Sequence, residues 1–257
     1  MCYDVTIGLK KYIEYCRLRG EHPDYIAAME RKLEEKKIKS HYVVSGFAHP
    51  KLLVFTSEKP DEPQTFSWGL IPSWIKSADE AKKIRTSTLN ARGETIFEKP
   101  SFRNAAQSKR CLIYVDGFFE SFHASGRTYP FHILMKDDSP MIFAGLYDEW
   151  VNTETGEIIP TATIVTTAGN ETMSRIHNNP KADGPRMPVI LSKEKQDEWL
   201  LPINSPEDKM KIEALIKPCN EELLRYFTVR PIKGKNSPGD VPEAEEEFEY
   251  PELALLF

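Results

Sequence analysis

The chain contains no apolar run approaching the ~18–20 residues that a membrane-spanning helix requires. It also lacks the basic region and apolar stretch of a secretory leader, since it begins MCYDVTIGLKKYIEYC. Cysteine is scarce. Cys2, Cys16, Cys111 and Cys219 have neither the spacing of zinc ligands nor that of a disulfide framework, and the six histidines form no metal-ligand pair. No metal and no cofactor is therefore expected. Cys16 and Cys111 lie in apolar surroundings and read as buried thiols of a reducing, cytoplasmic setting. Internal repeats are absent, as is the strand-helix-strand alternation of a parallel α/β protein. Basic residues are missing from one end: from Asn236 onward there are seven acidic side chains and no Lys or Arg. Removing those seven from the total of 39 leaves 32 acidic against 34 basic residues, so the net charge of −5 resides in the terminus. A near-neutral body can still present a basic face, so charge neither supports nor excludes a nucleic-acid partner. The Pro-, Gly- and Glu-rich end reads as an acidic, disordered tail over 233–257, behind a body spanning 1–232.

What is present organises that body as one large domain. Residues 9–39 read as helical, divided at Gly20-Glu21-His22-Pro23, with Pro23 opening the second segment. Residues 41–57 alternate as a strand, and a short polar helix follows near residues 78–83. RCLIYVDGFF (110–119) reads as a buried strand interrupted by Gly117, and ESFHASGRTYPFHILMK as a hairpin turning at Ala124-Ser125-Gly126. MIFAGLYDEW and TATIVTTAG are two further apolar strands, and RYFTVRPI is the last. Residues 193–200 and 206–216 carry helix-start signals. The pattern predicts an α+β fold, a largely antiparallel sheet or distorted barrel with flanking helices.

Position 2 carries the most chemistry. If Met1 is removed, Cys2 becomes an N-terminal 1,2-aminothiol whose amine and thiol have ordinary pKa values of about 7.7–8.0 and 8.5. Such a pair can condense with an aldehyde and close a five-membered ring, or act as the nucleophile of an N-terminal hydrolase. Four other segments stand out. Ser67-Trp68-Gly69-Leu70-Ile71-Pro72-Ser73-Trp74 reads either as a loop packed on the core or as a stacking surface for nucleobases. In Asn90-Ala91-Arg92, the amide can bond the Cys2 amine or a substrate oxygen and the guanidinium a phosphate, or the two can be a cap and a surface charge. Glu120 ends an apolar strand, as a salt-bridged edge residue or as a proton-transfer group. His177 follows a polar connection and precedes Arg186 across an Asn-, Lys- and Gly-containing segment.

In this order the segments resemble one family, the SOS response-associated peptidase (SRAP) proteins, over nearly the whole chain to about Ile232. The resemblance rests on Met1-Cys2, W-G-L-I-P-x-W (68–74), N-A-R-x-E-T (90–95) and R-C-L-x-x-x-D-G-F-x-E (110–120). It continues through F-A-G-L-Y-x-x-W (143–150), T-x-x-T-T-x-x-N (163–170), and I-H followed by R-M-P-V-I-L. It implies a SRAP-like fold and an abasic-site sensor that cross-links to abasic single-stranded DNA through a thiazolidine on Cys2. Lyase-like strand nicking and self-removal of Met1 are implied with it. By the same resemblance Cys2, Asn90, Glu120 and His177 are catalytic, and Trp68, Arg92 and Arg186 contact DNA. The chain departs from the family in having Cys2-Tyr3-Asp4 where Cys-Gly-Arg is usual, Ser121 where a Trp usually follows the glutamate, and an extra segment over 178–185. The other readings are an N-terminal-nucleophile cysteine amidohydrolase or peptidase, and a non-covalent single-stranded-DNA module. Glu252-Leu253-Ala254-Leu255-Leu256-Phe257 is similar to the short sliding-clamp-binding peptides of bacterial repair proteins, without their usual glutamine. The protein is expected to act as a monomer with no membrane partner.

Overall fold

A computed structural model describes residues 2–18, 20–35, 39–179 and 183–253. In chain order, β1 (Asp4–Ile7) leads to helices α1 (Leu9–Leu18) and α2 (Pro23–Glu35), then β2 (His41–Ser45), β3 (Lys51–Thr56) and β4 (Lys59–Trp68). Next come α3 (Ala78–Ser87), the short β5 (Asn90–Arg92), α4 (Arg103–Ser108), β6 (Arg110–Val115), β7 (Gly117–Ala124) and β8 (Arg127–Met135). The long strands β9 (Met141–Val151) and β10 (Ile158–Ala168) precede α5 (Glu171–Ile176) and β11 (Arg186–Pro188). Helices α6 (Lys193–Leu200) and α7 (Pro206–Ala214) and strand β12 (Leu224–Thr228) follow.

Five strands close on themselves in the order β10-β4-β3-β6-β9 and back to β10. All the ladders of this barrel are antiparallel except β4–β10. An antiparallel five-stranded sheet, β12-β8-β7-β1-β2, packs beside it. The fold is thus α+β, a largely antiparallel barrel and sheet with flanking helices, as the sequence predicts. One cluster of buried side chains joins barrel and sheet, among them Trp68, Cys111, Ile113, Phe118, Phe143 and Ile164, and it also holds Cys2. Among the described residues no helix is long and apolar enough to cross a membrane.

The run 110–119, which reads as one interrupted strand, is two strands in two sheets. The chain leaves the barrel after Val115 and enters the open sheet at Gly117. Gly117 is required there, because a Cβ would lie 2.7 Å from the Ile133 carbonyl and 2.8 Å from His132 Nε2. The hairpin β7–β8 turns as expected. Ser125 and Gly126 both have positive φ (49° and 73°), the backbone of the tight turns that match strand twist. The polar connection before His177 is a helix, α5, whose N-cap Asn170 accepts a hydrogen bond from the Met173 N–H at 2.9 Å.

Within the acidic end, residues 240–253 pack against the body. Val229 bridges Glu247, and the Phe248 N–H donates to Thr228 O at 2.8 Å. The Asp240 carboxylate accepts from Tyr42 N (2.8 Å) and Val43 N (3.2 Å) and lies 2.7 Å from His41 Nδ1. Tyr250 packs edge-on against both Tyr129 and Phe248, with centroids 5.0 and 4.9 Å away. The aromatic residues placed among the glutamates supply the burial that the composition conceals. Of the clamp-like peptide, Glu252 pairs with Arg127 at 2.9 Å and Leu253 is buried, while residues 254–257 lie outside the described residues.

Candidate functional site

Cys2 lies two residues before Asp4, the first residue of β1, whose two neighbours are β2 and β7. It is fully buried, and its Sγ donates to Asp4 O at 4.0 Å. Burial pushes the Cys2 thiol well above the ordinary thiol range, and the negative charge of Glu120 pushes it further. At neutral pH the group is therefore a thiol rather than a thiolate.

Parallel pairing with β10, in which Asn90 matches Ile164, brings β5 alongside the barrel. Ala91 points into the core, so its neighbours Asn90 and Arg92 face the other way. Asn90 Nδ2 donates to the Cys2 carbonyl at 2.8 Å. Its Oδ1 is buried and has no hydrogen-bond partner among the described residues. An acceptor stranded in this way costs about 1–3 kcal/mol, and a donor placed next to Cys2 would recover it.

Glu120 lies on β7, one residue beyond the Asp4–Phe119 register pair, and His177 is the C-cap of α5. The two meet at 3.4 Å between His177 Nδ1 and Glu120 Oε2, with side-chain exposures of only 4% and 12%. The same nitrogen accepts from the Arg186 N–H at 3.3 Å and lies 3.2 Å from Arg186 O. Glu120 Oε1 accepts from the Ser121 N–H at 3.2 Å. A carboxylate and an imidazole in this contact can pass a proton between them or hold one jointly. Both line a cleft of about 400 Å³ with Tyr3, Arg92, Arg186 and Lys233.

Asn90, Glu120 and His177 thus gather around Cys2 and this cleft, from four separate stretches of chain. The DNA-contact set fares unevenly. Arg92 is 42% exposed at the cleft and pairs with Asp183 at 2.7 Å. Arg186 lines the cleft but is largely buried. Its Nη2 donates to Glu94 Oε2 at 2.7 Å and to Thr166 O at 2.9 Å, so both donors of that nitrogen are already committed. Burial disfavours the Glu94 charge, but the Arg186 hydrogen bond, a backbone hydrogen bond and the charges of Arg186 and Arg92 together outweigh it and hold Glu94 below the usual carboxylate range. Despite the added segment between them, His177 and Arg186 touch. Trp68 offers no stacking surface: it is fully buried, with Nε1 donating to Leu89 O at 2.7 Å. Trp74 of the same run is 45% exposed.

Two contributors at the cleft escape the sequence reading. Lys233 Nζ lies 2.7 Å from Asp4 Oδ2, so a cation from far along the chain stands at the segment that carries Cys2. Its only signal is a basic Lys-Gly-Lys run just past the last strand, where the body was expected to end. Tyr3 also lines the cleft and packs on Phe47, with ring centroids 5.2 Å apart.

Comparison with known proteins follows the same direction. The sequence matches the family model described as SOS response associated peptidase (SRAP) over residues 15–234. The abasic site processing protein YoqW of Bacillus subtilis is 41% identical over 172 residues, covering 66% of this chain and 70% of its own. The abasic site processing protein HMCES of Gallus gallus is 31% identical over 153 residues, 52% of this chain and 43% of the longer relative. A crystal structure of a Bacteroides thetaiotaomicron protein superimposes with a TM-score of 0.81 at 34% identity, over 96% of this chain and 100% of that one. One from Bordetella bronchiseptica, at 22% identity and a TM-score of 0.67 over 89% and 99% of the two chains, shares the fold.

Proposed function

The chain belongs to the SOS response associated peptidase (SRAP) family, and from that premise we propose that it captures abasic sites in single-stranded DNA through Cys2. The observation that carries this reading is the Asn90 amide. It is pinned to the Cys2 carbonyl and leaves a buried acceptor unfilled, as a holder for a terminal amine would. Loss of Met1 makes Cys2 the chain end and supplies that amine. The relatives named as abasic site processing proteins point to the same substrate.

The ring-opened deoxyribose presents an aldehyde at C1′. The neutral Cys2 amine adds to it, and the carbinolamine loses water to give an imine. Glu120, in contact with His177, takes the amine proton and returns it to the departing hydroxyl. The Cys2 Sγ then adds to C1′, its proton passes to the ring nitrogen, and a thiazolidine forms with net release of one water. His177 assists sugar ring opening. The imine is the branch point: ring closure gives the stable cross-link, and β-elimination from it gives strand nicking. Near pH 7.5 roughly a quarter to two-fifths of an ordinary α-amine is already neutral, so positioning contributes more than pKa adjustment. Arg92 and Lys233, 42% and 60% exposed, grip flanking phosphates, which makes binding salt-sensitive and sequence-tolerant. An N-terminal hydrolase mechanism instead needs a reactive thiolate, which burial and Glu120 disfavour here.

The test uses uracil-containing single-stranded DNA treated with a glycosylase to expose the abasic site. The mature protein should give a heat-stable covalent band on that strand and none on the untreated one; no band on either would sink the proposal. Glu120→Gln should separate two roles. Capture should slow by about 10²-fold for want of the proton shuttle. Removing the negative charge should also lower the Cys2 thiol pKa, so alkylation of Cys2 should begin at lower pH than in the wild type. Quenched-flow capture and a pH series of alkylation read the two effects independently. Equal alkylation profiles would contradict the assigned influence of Glu120 on the thiol.

A further inference from the structure

We infer that the Tyr3–Phe47 aromatic pair is the stacking face for the nucleobase adjacent to the abasic residue, an inference that rests on the abasic-site reading above. Phe47 is 51% exposed, a large apolar ring left on the surface beside the buried Gly46. It sits in a single 3-10 turn, Gly46–Ala48, with its ring against Tyr3 at 5.2 Å and 35°. Tyr3 follows Cys2 directly and lines the cleft that holds Glu120 and His177.

The turn is fixed from two sides. The Gly46 N–H donates to Tyr3 O at 2.7 Å, which ties it to the segment carrying the nucleophile. From beneath, the Trp68 ring lies so close that a Cβ at position 46 would meet it at 3.1 Å. Trp68 is itself fastened to Leu89 O, one residue before Asn90. The buried tryptophan thus joins the aromatic pair, Cys2 and Asn90 into one rigid unit. The stacking role that the sequence suggests for Trp68 passes to the rings it supports.

The occupant follows from chemistry and distance. An abasic residue leaves its neighbouring base with one unstacked face, and consecutive bases in a stacked strand are ~3.4 Å apart. Consecutive Cα atoms lie ~3.8 Å apart, so a strand joined to Cys2 brings that bare face to the residue beside it. Aromatic rings accept any base, which suits a lesion that occurs in every sequence context.

The test measures affinity for single strands containing a tetrahydrofuran residue, which has no aldehyde and cannot be cross-linked. In companion strands the 5′ or the 3′ neighbouring base is replaced by a base-free spacer. Wild-type protein should lose roughly tenfold in affinity when one of these bases is absent. Phe47→Ala should lose the same amount on the intact strand and be indifferent to removal of that base, while Phe47→Trp should behave as wild type. Thermal melting confirms that the substitution at this exposed position leaves the fold intact. Wild-type affinity in Phe47→Ala, or a loss that adds fully to removal of either base, overturns the stacking inference alone. Wild-type protein that binds none of the strands overturns the abasic-site reading and this inference with it.

Discussion

Cys2→Ala should form no heat-stable adduct with abasic single-stranded DNA, a loss beyond ~10³-fold in stable capture. The substitution keeps the terminal amine, and a small residue at position 2 still permits removal of Met1. The imine step therefore survives, and borohydride should trap the variant on the strand even though no heat-stable band forms. What disappears is ring closure. A thiol on the same residue as the imine nitrogen attacks at an effective concentration that no solution thiol approaches. Without it the imine reverts by hydrolysis. Loss of the borohydride-trapped species as well would place the defect at the amine or in folding. Persistence of the heat-stable band would remove Cys2 from the chemistry.

Arg110→Ala should cost about 3–5 kcal/mol of folding stability, lowering Tm by roughly 10 °C. Arg110 opens β6 yet is 1% exposed, and among the described residues it pairs with no carboxylate. Its guanidinium donates instead to backbone carbonyls at the ends of two helices. Nη1 reaches Ala106 O (2.6 Å) and Gln107 O (3.0 Å) near the end of α4. Nε reaches Trp199 O at 2.8 Å, and Nη2 reaches Leu201 O, at the end of α6. Helix C-termini carry partial negative charge and unsatisfied carbonyls, so one planar cation closes both. Burial pulls the guanidinium down to about 10, which still leaves it charged at neutral pH. Alanine would remove the donor from four carbonyls, those of Ala106 and Trp199 being buried, and leave a cavity. Lysine should not rescue, because a single ammonium cannot span two helix ends. Denaturant unfolding of the three proteins measures this, and a loss below about 1 kcal/mol would show that water replaces the guanidinium.

The barrel and its helices were legible because most strands are apolar runs bounded by turn residues, and the hairpin declares itself through Ser125-Gly126. Strand β4 was missed over its polar half. Lys59-Pro60-Asp61-Glu62-Pro63-Gln64 has the composition of a loop. It is a strand because β10 pairs only with Ser67 and Trp68, leaving one edge of the Pro-containing stretch unpaired, where proline is tolerated. The terminal strap was missed for a related reason: net charge dominates its composition, while Phe248 and Tyr250 decide its packing. At the site, Cys2, Asn90, Glu120 and His177 stand out in the sequence as residue types, but the sequence does not show that Glu120 lies within β7 or that His177 caps a helix. Which aromatic faces solvent does not follow from a WGLIPSW run: Trp68 is buried and Trp74 is half-exposed. The ion pair of Asp4 with Lys233 joins positions far apart in the sequence, and no local pattern announces it.

The most direct test of the account is intact mass of the purified full-length protein before and after incubation with glycosylase-treated, uracil-containing single-stranded DNA. The account predicts a starting mass short by the initiator methionine. It then predicts a single heat-stable product equal to that protein plus the strand minus one water. A protein that retains Met1 and gains no mass, or an adduct formed without loss of water, would contradict it.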